Sequence, residues 1–256
     1  MNYSKELKIA EGIAKKAGDI MRQYFDGGQQ CVTKADGSPV TIADTEVNRM
    51  VIEELEKYFP DDGVIGEEES TSEYGMGRKW FCDPIDGTKA YTWGVPTAMF
   101  SLALVVDGVP VLGVAYEPML DRIYTAVKGK GAFFGDQRLC VNDDALESGI
   151  LAVISSPYRI RNQAAYFDKL LERKVNLAVF SGAVAKSVGV ATGRYVGYIE
   201  ELLNAHDIAA VQVIVEEAGG KVTDLHGKDL DYLKPIKGAI VTNSKIHNEL
   251  VKLYEA

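Results

Sequence analysis

The sequence predicts a mixed α/β (α+β) protein of two tightly joined halves, and three observations carry that reading. Two amphipathic helical stretches precede a run of hairpin-forming segments in the first half. Short apolar segments alternate with helical ones in the second. No flexible linker, repeat or low-complexity tract lies between them. A boundary near residue 145 divides the chain into halves 1–145 and 146–256.

Each element follows from local pattern. Residues 4–25 place Leu7, Ala10, Ile13, Ala14, Ala17, Met21 and Tyr24 on one helical face, and Gly27-Gly28 stops that helix. Residues 42–59 repeat the pattern with Val47, Met50, Val51, Leu55 and Tyr58 before Pro60. Lys79-Trp80-Phe81-Cys82 reads as a strand that stops at Asp83-Pro84. Residues 100–106 and 109–116 flank Asp107-Gly108, a strong hairpin signal, and 122–127 and 132–141 extend the meander. The first half therefore reads as two helices against a mostly antiparallel sheet. In the second half, 150–155, 175–180, 195–199, 221–225 and 238–242 read as strands. Residues 163–173, 183–192, 208–218 and a last segment from 245 read as helices, with Gly219-Gly220 as a stop.

Composition narrows the function. A chain of 256 residues that is 46% hydrophobic and 25% charged can bury a substantial core. Its net charge of −9 disfavours nucleic acid as a partner, and a negative protein handling a negative substrate must hold cations locally. Cys31, Cys82 and Cys140 form no CxxC pair, which argues against a disulfide framework or a zinc site and for a reducing compartment. The N-terminal stretch lacks the apolar core of a signal peptide. The longest apolar run, 101–114, is broken by Asp107-Gly108, so no membrane span and a cytoplasmic location are expected.

The chemistry is concentrated in Asp83-Pro84-Ile85-Asp86-Gly87-Thr88. Two carboxylates leave the strand end three residues apart, with the Ile85 carbonyl between them, which are the oxygen donors that hard cations such as magnesium take. The Gly87 and Thr88 amides that follow can cradle a phosphate. A lone Asp-Gly is more often a solvated turn. Three further acids alter the weighing. Glu67 in Gly66-Glu67-Glu68-Glu69 directly follows apolar Val64-Ile65. Asp44 falls in a first helical turn after Thr41. Asp207 precedes a helix with Ile208, Val211, Val215 and Ala218 on its apolar face. Taken singly, these read as an acidic loop, a dipole-favoured acid and an N-cap. The haloacid-dehalogenase signature Asp-x-Asp-Gly-Thr is excluded, because Pro84 occupies the place of its nucleophile.

With these residues in place, the sequence resembles the inositol monophosphatase family of lithium-sensitive phosphatases over nearly its whole length. The match runs from Lys34-Ala35-Asp36-Gly37-Ser38-Pro39-Val40-Thr41-Ile42-Ala43-Asp44 through Gly66-Glu67-Glu68 and the Asp83–Thr88 motif. It continues with Gly129-Lys130-Gly131-Ala132-Phe133, His206-Asp207-Ile208-Ala209-Ala210 and Glu217-Ala218-Gly219-Gly220. The resemblance implies a layered α-β-α-β-α sandwich of the sugar phosphatase type and two to three magnesium ions. Glu67, Asp83 and the Ile85 carbonyl would hold one ion; Asp83, Asp86 and Asp207 a second; a third would touch Glu67. Asp44 and Thr88, with Glu67, would orient a metal-activated water. The Gly87 and Thr88 amides would hold phosphate oxygens beside Asp86 and Asp207. Ser181, Gly182 and Ala183 would touch the substrate body, and Glu200 a substrate hydroxyl. The family commonly forms homodimers.

Two departures bear on the substrate. His206 stands where the family usually has Trp, either as a packing change or as an altered substrate wall. Lys89 is similar to a residue of the histidinol-phosphate and 3′-phosphoadenosine-5′-phosphate phosphatase branches, and Lys186 with Thr223-Asp224-Leu225-His226-Gly227-Lys228 is similar to the nucleotide branch, although Lys186 reads equally well as a solvent-facing helix residue. A small phosphate monoester is therefore expected as substrate. Inositol-1-phosphate or a related sugar or polyol phosphate leads because Glu200 is present. Histidinol phosphate, the bisphosphonucleotide and fructose-1,6-bisphosphate follow, and a non-catalytic metabolite-binding protein is disfavoured because every metal acid is retained.

Overall fold

The computed structural model describes residues 2–25, 31–33, 39–154 and 164–255. The Gly27-Gly28 stop, residues 34–38, and the predicted element ends at 155 and 163 lie outside the described residues. Helix α1 (Ser4–Phe25) buries Ala10, Ile13, Ala14, Ala17, Gly18 and Met21. After the short pair β1 (Val32–Thr33) and β2 (Pro39–Val40), helix α2 (Ile42–Tyr58) is started by a capping box in which Thr41 and Asp44 bond reciprocally.

A seven-stranded sheet follows in the order β3 (Gly63–Gly66), β4 (Arg78–Asp86), β5 (Met99–Val106), β6 (Val109–Glu117), β7 (Arg122–Val127), β8 (Gly131–Phe134) and β9 (Gln137–Arg138). Only β3 and β4 pair in parallel within it. The Asp107-Gly108 hairpin turns with φ of 50° and 79°, the left-handed pair this turn needs. The meander expected over 132–141 is two short strands, β8 and β9, joined through Gly135 at φ 56°. Strand β4 does not stop at Cys82. It continues to Asp86 with its register broken between Asp83 and Asp86, because Pro84 has no N–H for the ladder and central strands admit proline only at such irregularities. A short helix α3 (Thr88–Thr92) leaves the strand after Gly87.

The second sheet has the order β11-β10-β12-β14-β13, built from β10 (Ile150–Val153), β11 (Asn176–Val179), β12 (Gly197–Glu200), β13 (Lys221–Thr223) and β14 (Ala239–Thr242). Its helices are α4 (Ala164–Glu172), α5 (Ala183–Ala191), α6 (Ala205–Glu217) and α7 (His247–Glu255). Three cores order the layers. Helices α1 and α2 pack on one face of the seven-stranded sheet. Its other face, α5, α6 and one face of the second sheet share a central core. Helices α4 and α7 cover the far face. Strand β10 alternates as a sheet between two layers must: Ala152 enters the central core, Leu151 and Val153 the outer one. The result is an α-β-α-β-α sandwich.

Helix α6 is buried between both sheets, with Ala205, Ile208, Ala209, Ala210, Val211, Val213, Ile214 and Val215 all in the core. It lies so close to β6 that a Cβ on Gly113 would stand 2.2 Å from the Ala210 carbonyl oxygen. The first half is two helices on one mostly antiparallel sheet, as its pattern predicts. The sheet's second face is closed by a helix from the chain's other end. Among the described residues, no helix is long and apolar enough to cross a membrane.

Candidate active site

Asp83, Asp86 and Asp207 each offer an oxygen atom, and these atoms lie within 4.8 Å of one another. The broken register of β4 brings the first two together, and α6 delivers the third. Asp207 is not the N-cap of α6. Asn204 holds that place, and Asp207 sits three residues on, its Oδ2 accepting the Asn204 N–H at 2.6 Å. Asp44 has the same position on α2, where its Oδ2 accepts the Thr41 N–H at 2.8 Å and the Thr41 hydroxyl at 2.6 Å. In both cases one oxygen caps a helix and the other is left for the cluster.

Asp86 is held differently. Its Oδ1 accepts the Ala183 N–H and its Oδ2 the Val184 N–H, each at 2.8 Å, so the start of α5 grips both oxygens. Asp83 Oδ1 accepts the Ile85 N–H at 3.1 Å. The Thr88 hydroxyl lies 2.9 Å from the Ile85 carbonyl oxygen and 3.3 Å from Asp44 Oδ1. Glu67 is placed by its own N–H on the Cys82 carbonyl at 3.1 Å, and the following loop by buried Asn48, whose Nδ2 donates to the Glu69 carbonyl at 3.0 Å. The His206 carbonyl accepts the Ser101 hydroxyl at 3.2 Å, and its Nε2 lies 3.9 Å from Asp207 Oδ2.

Two glycines face each other at the centre. A Cβ on Gly87 (φ 84°) would stand 3.3 Å from Gly182 Cα, and one on Gly182 (φ 104°) 2.9 Å from Asp86 Oδ2. Gly182→Ala is therefore expected to displace the Asp86 carboxylate and lower kcat about 10- to 100-fold. Steady-state rates at saturating metal check it, and wild-type turnover in a folded G182A protein contradicts it.

Electrostatics mark the cluster. Burial, followed by the charges of Glu67, Asp86, Asp207 and Asp44, pushes the Asp83 carboxyl well above its ordinary range. Burial and Asp207 push Asp86 up to about 7, against the pull of the Ala183 amide, Lys186 and the Val184 amide. Asp207 is raised by burial. Burial also lifts Asp44 to about 6, and burial with the charges of Asp207 and Asp86 lifts Glu200 to about 8. Such mutually opposed carboxylates are at ease only when protonated or when cations lie between them. The donor set fits a hard divalent ion: it is all oxygen, and neighbouring Cys82 is kept as a thiol because burial raises its pKa.

Asp44, Glu67, Asp83, Asp86, Thr88 and Asp207 therefore gather at one place, with the Ile85 carbonyl, Gly87, Gly182 and Ala183 around them. Ser181 adjoins Gly87, and Glu200 lies within reach of the Asp86 and Asp207 charges. The sequence reading gave no role at the site to Thr41, Asn204 or Val184. The spacings Thr41–Asp44 and Asn204–Asp207 are legible as capping boxes, whereas the Val184 contact joins distant segments and has no local signal. Lys186 is not solvent-facing; it is buried.

Residues 2–256 match the model of the inositol monophosphatase family. A Thermotoga maritima fructose-1,6-bisphosphatase/inositol-1-monophosphatase is 36% identical over 250 residues, 96% of this chain and 94% of that protein. A Chlorobaculum parvum histidinol-phosphatase is 34% identical over 225 residues, 87% of each. The structure of a Thermotoga maritima IMPase superposes with a TM-score of 0.89 at 31% identity, covering 98% of this chain and 97% of that one.

Proposed function

Because the chain belongs to the inositol monophosphatase family and is a phosphatase of phosphate monoesters, we propose that it is magnesium-dependent and acts on inositol-1-phosphate or a related sugar or polyol phosphate. The observation that carries the metal reading is the convergence of Asp83, Asp86 and Asp207 within 4.8 Å, with Glu67 raising the charge density around them. The site lies where half 1–145 meets half 146–256. When bound, two to three magnesium ions at Glu67, Asp83, the Ile85 carbonyl, Asp86 and Asp207 supply charge neutralisation and a nucleophilic water at neutral pH.

The chain's own groups do the rest. The Thr88 hydroxyl, between the Ile85 carbonyl and Asp44 Oδ1, orients the attacking water. Asp44, whose Oδ1 accepts the Thr88 hydroxyl at 3.3 Å, would take the water's proton through Thr88 as the new oxygen–phosphorus bond forms, and the departing ester oxygen would take a proton from solvent. The Gly87 and Thr88 amides hold phosphate oxygens. Ser181, Gly182 and Ala183 bound the substrate body, and the Ala183 N–H is committed to Asp86. Glu200 accepts a substrate hydroxyl, which favours a polyol. A panel of inositol-1-phosphate, histidinol phosphate, fructose-1,6-bisphosphate and 3′-phosphoadenosine-5′-phosphate with magnesium tests this. Release from inositol-1-phosphate is expected, and release from the nucleotide alone overturns the assignment. Histidinol phosphate is the second reading because of the Chlorobaculum relative.

Inhibition by lithium at tens of millimolar belongs to the same reading, and a titration without loss of activity contradicts it. So does a cytoplasmic homodimer, consistent with the free cysteines Cys31, Cys82 and Cys140, and light scattering at the mass of one chain would refute the dimer.

A further inference from the structure

Helix α5 carries a lysine to which the reaction above gives no task. Lys186 is 1% exposed, and lysine is almost never buried this far unless paired. It lies one turn beyond Ala183 and Val184, whose amides grip Asp86, and helical side chains lean toward the N-terminus of their helix. Lys186 thus lies near enough to Asp86 for its charge to favour the ionised carboxylate. Its ammonium is 3.9 Å from Glu200 Oε2 and lies over the rings of Tyr198 at 4.6 Å and Phe180 at 5.7 Å. Glu200, 5% exposed, ends β12 on the same face as Tyr198, two residues before it. A fixed cation therefore stands between a carboxylate of the acid cluster and the carboxylate read above as the substrate's hydroxyl acceptor.

We propose that Lys186 is a positioning residue, a built-in counterion that holds Glu200 in place for the substrate and at the same time weakens the binding of divalent metal at Asp86. The first part rests on the reading of Glu200 given above. The two effects have opposite signs. The ring faces and the 3.9 Å approach to Glu200 Oε2 fix the ammonium, and the ammonium holds Glu200 whether that carboxyl is ionised or, as burial beside Asp207 and Asp86 favours, protonated, so its loss frees the group that meets the substrate. A divalent ion approaching Asp86 meets repulsion from that same ammonium, so its loss tightens metal binding. A lysine kept for packing alone gives neither sign: its loss lowers stability and leaves metal affinity equal or weaker.

Lys186→Met keeps the length and apolar stem and removes the charge. Calorimetric titration of the substrate-free protein with magnesium is expected to give a Kd about 3- to 10-fold tighter than wild type. With inositol-1-phosphate, KM rises about tenfold while kcat stays within about threefold. In a Glu200→Gln background the added K186M change raises KM no further, since its effect on substrate passes through Glu200. Unchanged or weaker magnesium binding in folded K186M overturns the proposal, as does a KM increase that adds fully to that of E200Q. Should K186M fail to fold, the same calorimetric comparison between E200Q and the K186M/E200Q double variant, which leaves no charge of the pair buried alone, decides it. If the wild type releases no phosphate from inositol-1-phosphate, the substrate reading falls, and the calorimetry still decides the role of Lys186.

Discussion

Replacing Asp86 with Asn is expected to reduce phosphate release by on the order of 1,000-fold or more while the protein stays folded. The side chain keeps its size, but one carboxylate oxygen becomes an NH2 group. That group faces an amide N–H of Ala183 or Val184, both of which now donate at 2.8 Å. One hydrogen bond is lost, at a cost of about 1–3 kcal/mol. Against this, Asp86 is already driven towards its neutral form, with a carboxyl at about 7, so a permanently neutral group relieves repulsion from Asp83 and Asp207. The melting temperature in chelator at pH 8 should therefore change little, and the stabilisation by added magnesium should disappear. Melting with and without magnesium, alongside a phosphate-release assay, separates the two effects. Full activity in D86N would remove this residue from the reaction.

The second large effect is expected from metal removal. Asp44, Asp86 and Glu200 are held at about 6, 7 and 8, and Asp83 and Asp207 are also raised. Groups whose folded pKa exceeds the unfolded value add stability that is complete at low pH and lost as pH climbs through the folded value. In chelator, stability should therefore fall from about pH 4, the unfolded carboxyl value, upward: Asp44 is spent by about pH 6, and Asp86 and Glu200 carry the fall on to pH 8.5, so that between pH 6.5 and 8.5 a few kcal/mol, or about 10 °C in melting temperature, is lost. Magnesium should restore most of it at pH 8.5 and add little at pH 6.5. Buried His247, between the Thr223 and Thr242 hydroxyls, has the opposite sign. Burial lowers it to about 4, so its contribution is lost as pH falls from 6.5 toward 4, below this window. Equal melting temperatures at pH 8.5 with magnesium and with chelator would show that the carboxylates are not balanced by metal.

The readable part of this protein is the part written in local pattern. The spacing of Ala10, Ile13, Ala14, Ala17 and Met21 marks α1, and Asp107-Gly108 marks the hairpin between β5 and β6. The motif from Asp83 to Thr88 marks the site. What escaped depended on distant partners. Lys186 carries a charge that suits a surface, and the Tyr198 ring and Glu200, from a strand distant in sequence, and the Phe180 ring help to hold it inside. Asp207 was misplaced by one helical turn because Ala205 and His206 do not announce a helix start, whereas the Asn204 cap does so in three dimensions. Pro84 argues locally for a strand end. The strand persists because the irregularity between Asp83 and Asp86 absorbs the missing donor, and that irregularity is what turns the two acids together.

The central position of α6 has a consequence for how the chain is made. The seven-stranded sheet is complete in sequence at Arg138, yet the helix that closes its inner face ends at Glu217. At roughly 5–20 residues per second, a ribosome needs on the order of ten seconds to supply it. Through that interval Phe81, Ala103, Val105, Ala115 and Tyr124 have no lasting cover. Nascent chains released before Glu217 should aggregate or recruit chaperones, whereas the full chain, with β14 in place beside β12, should collapse in a single cooperative step.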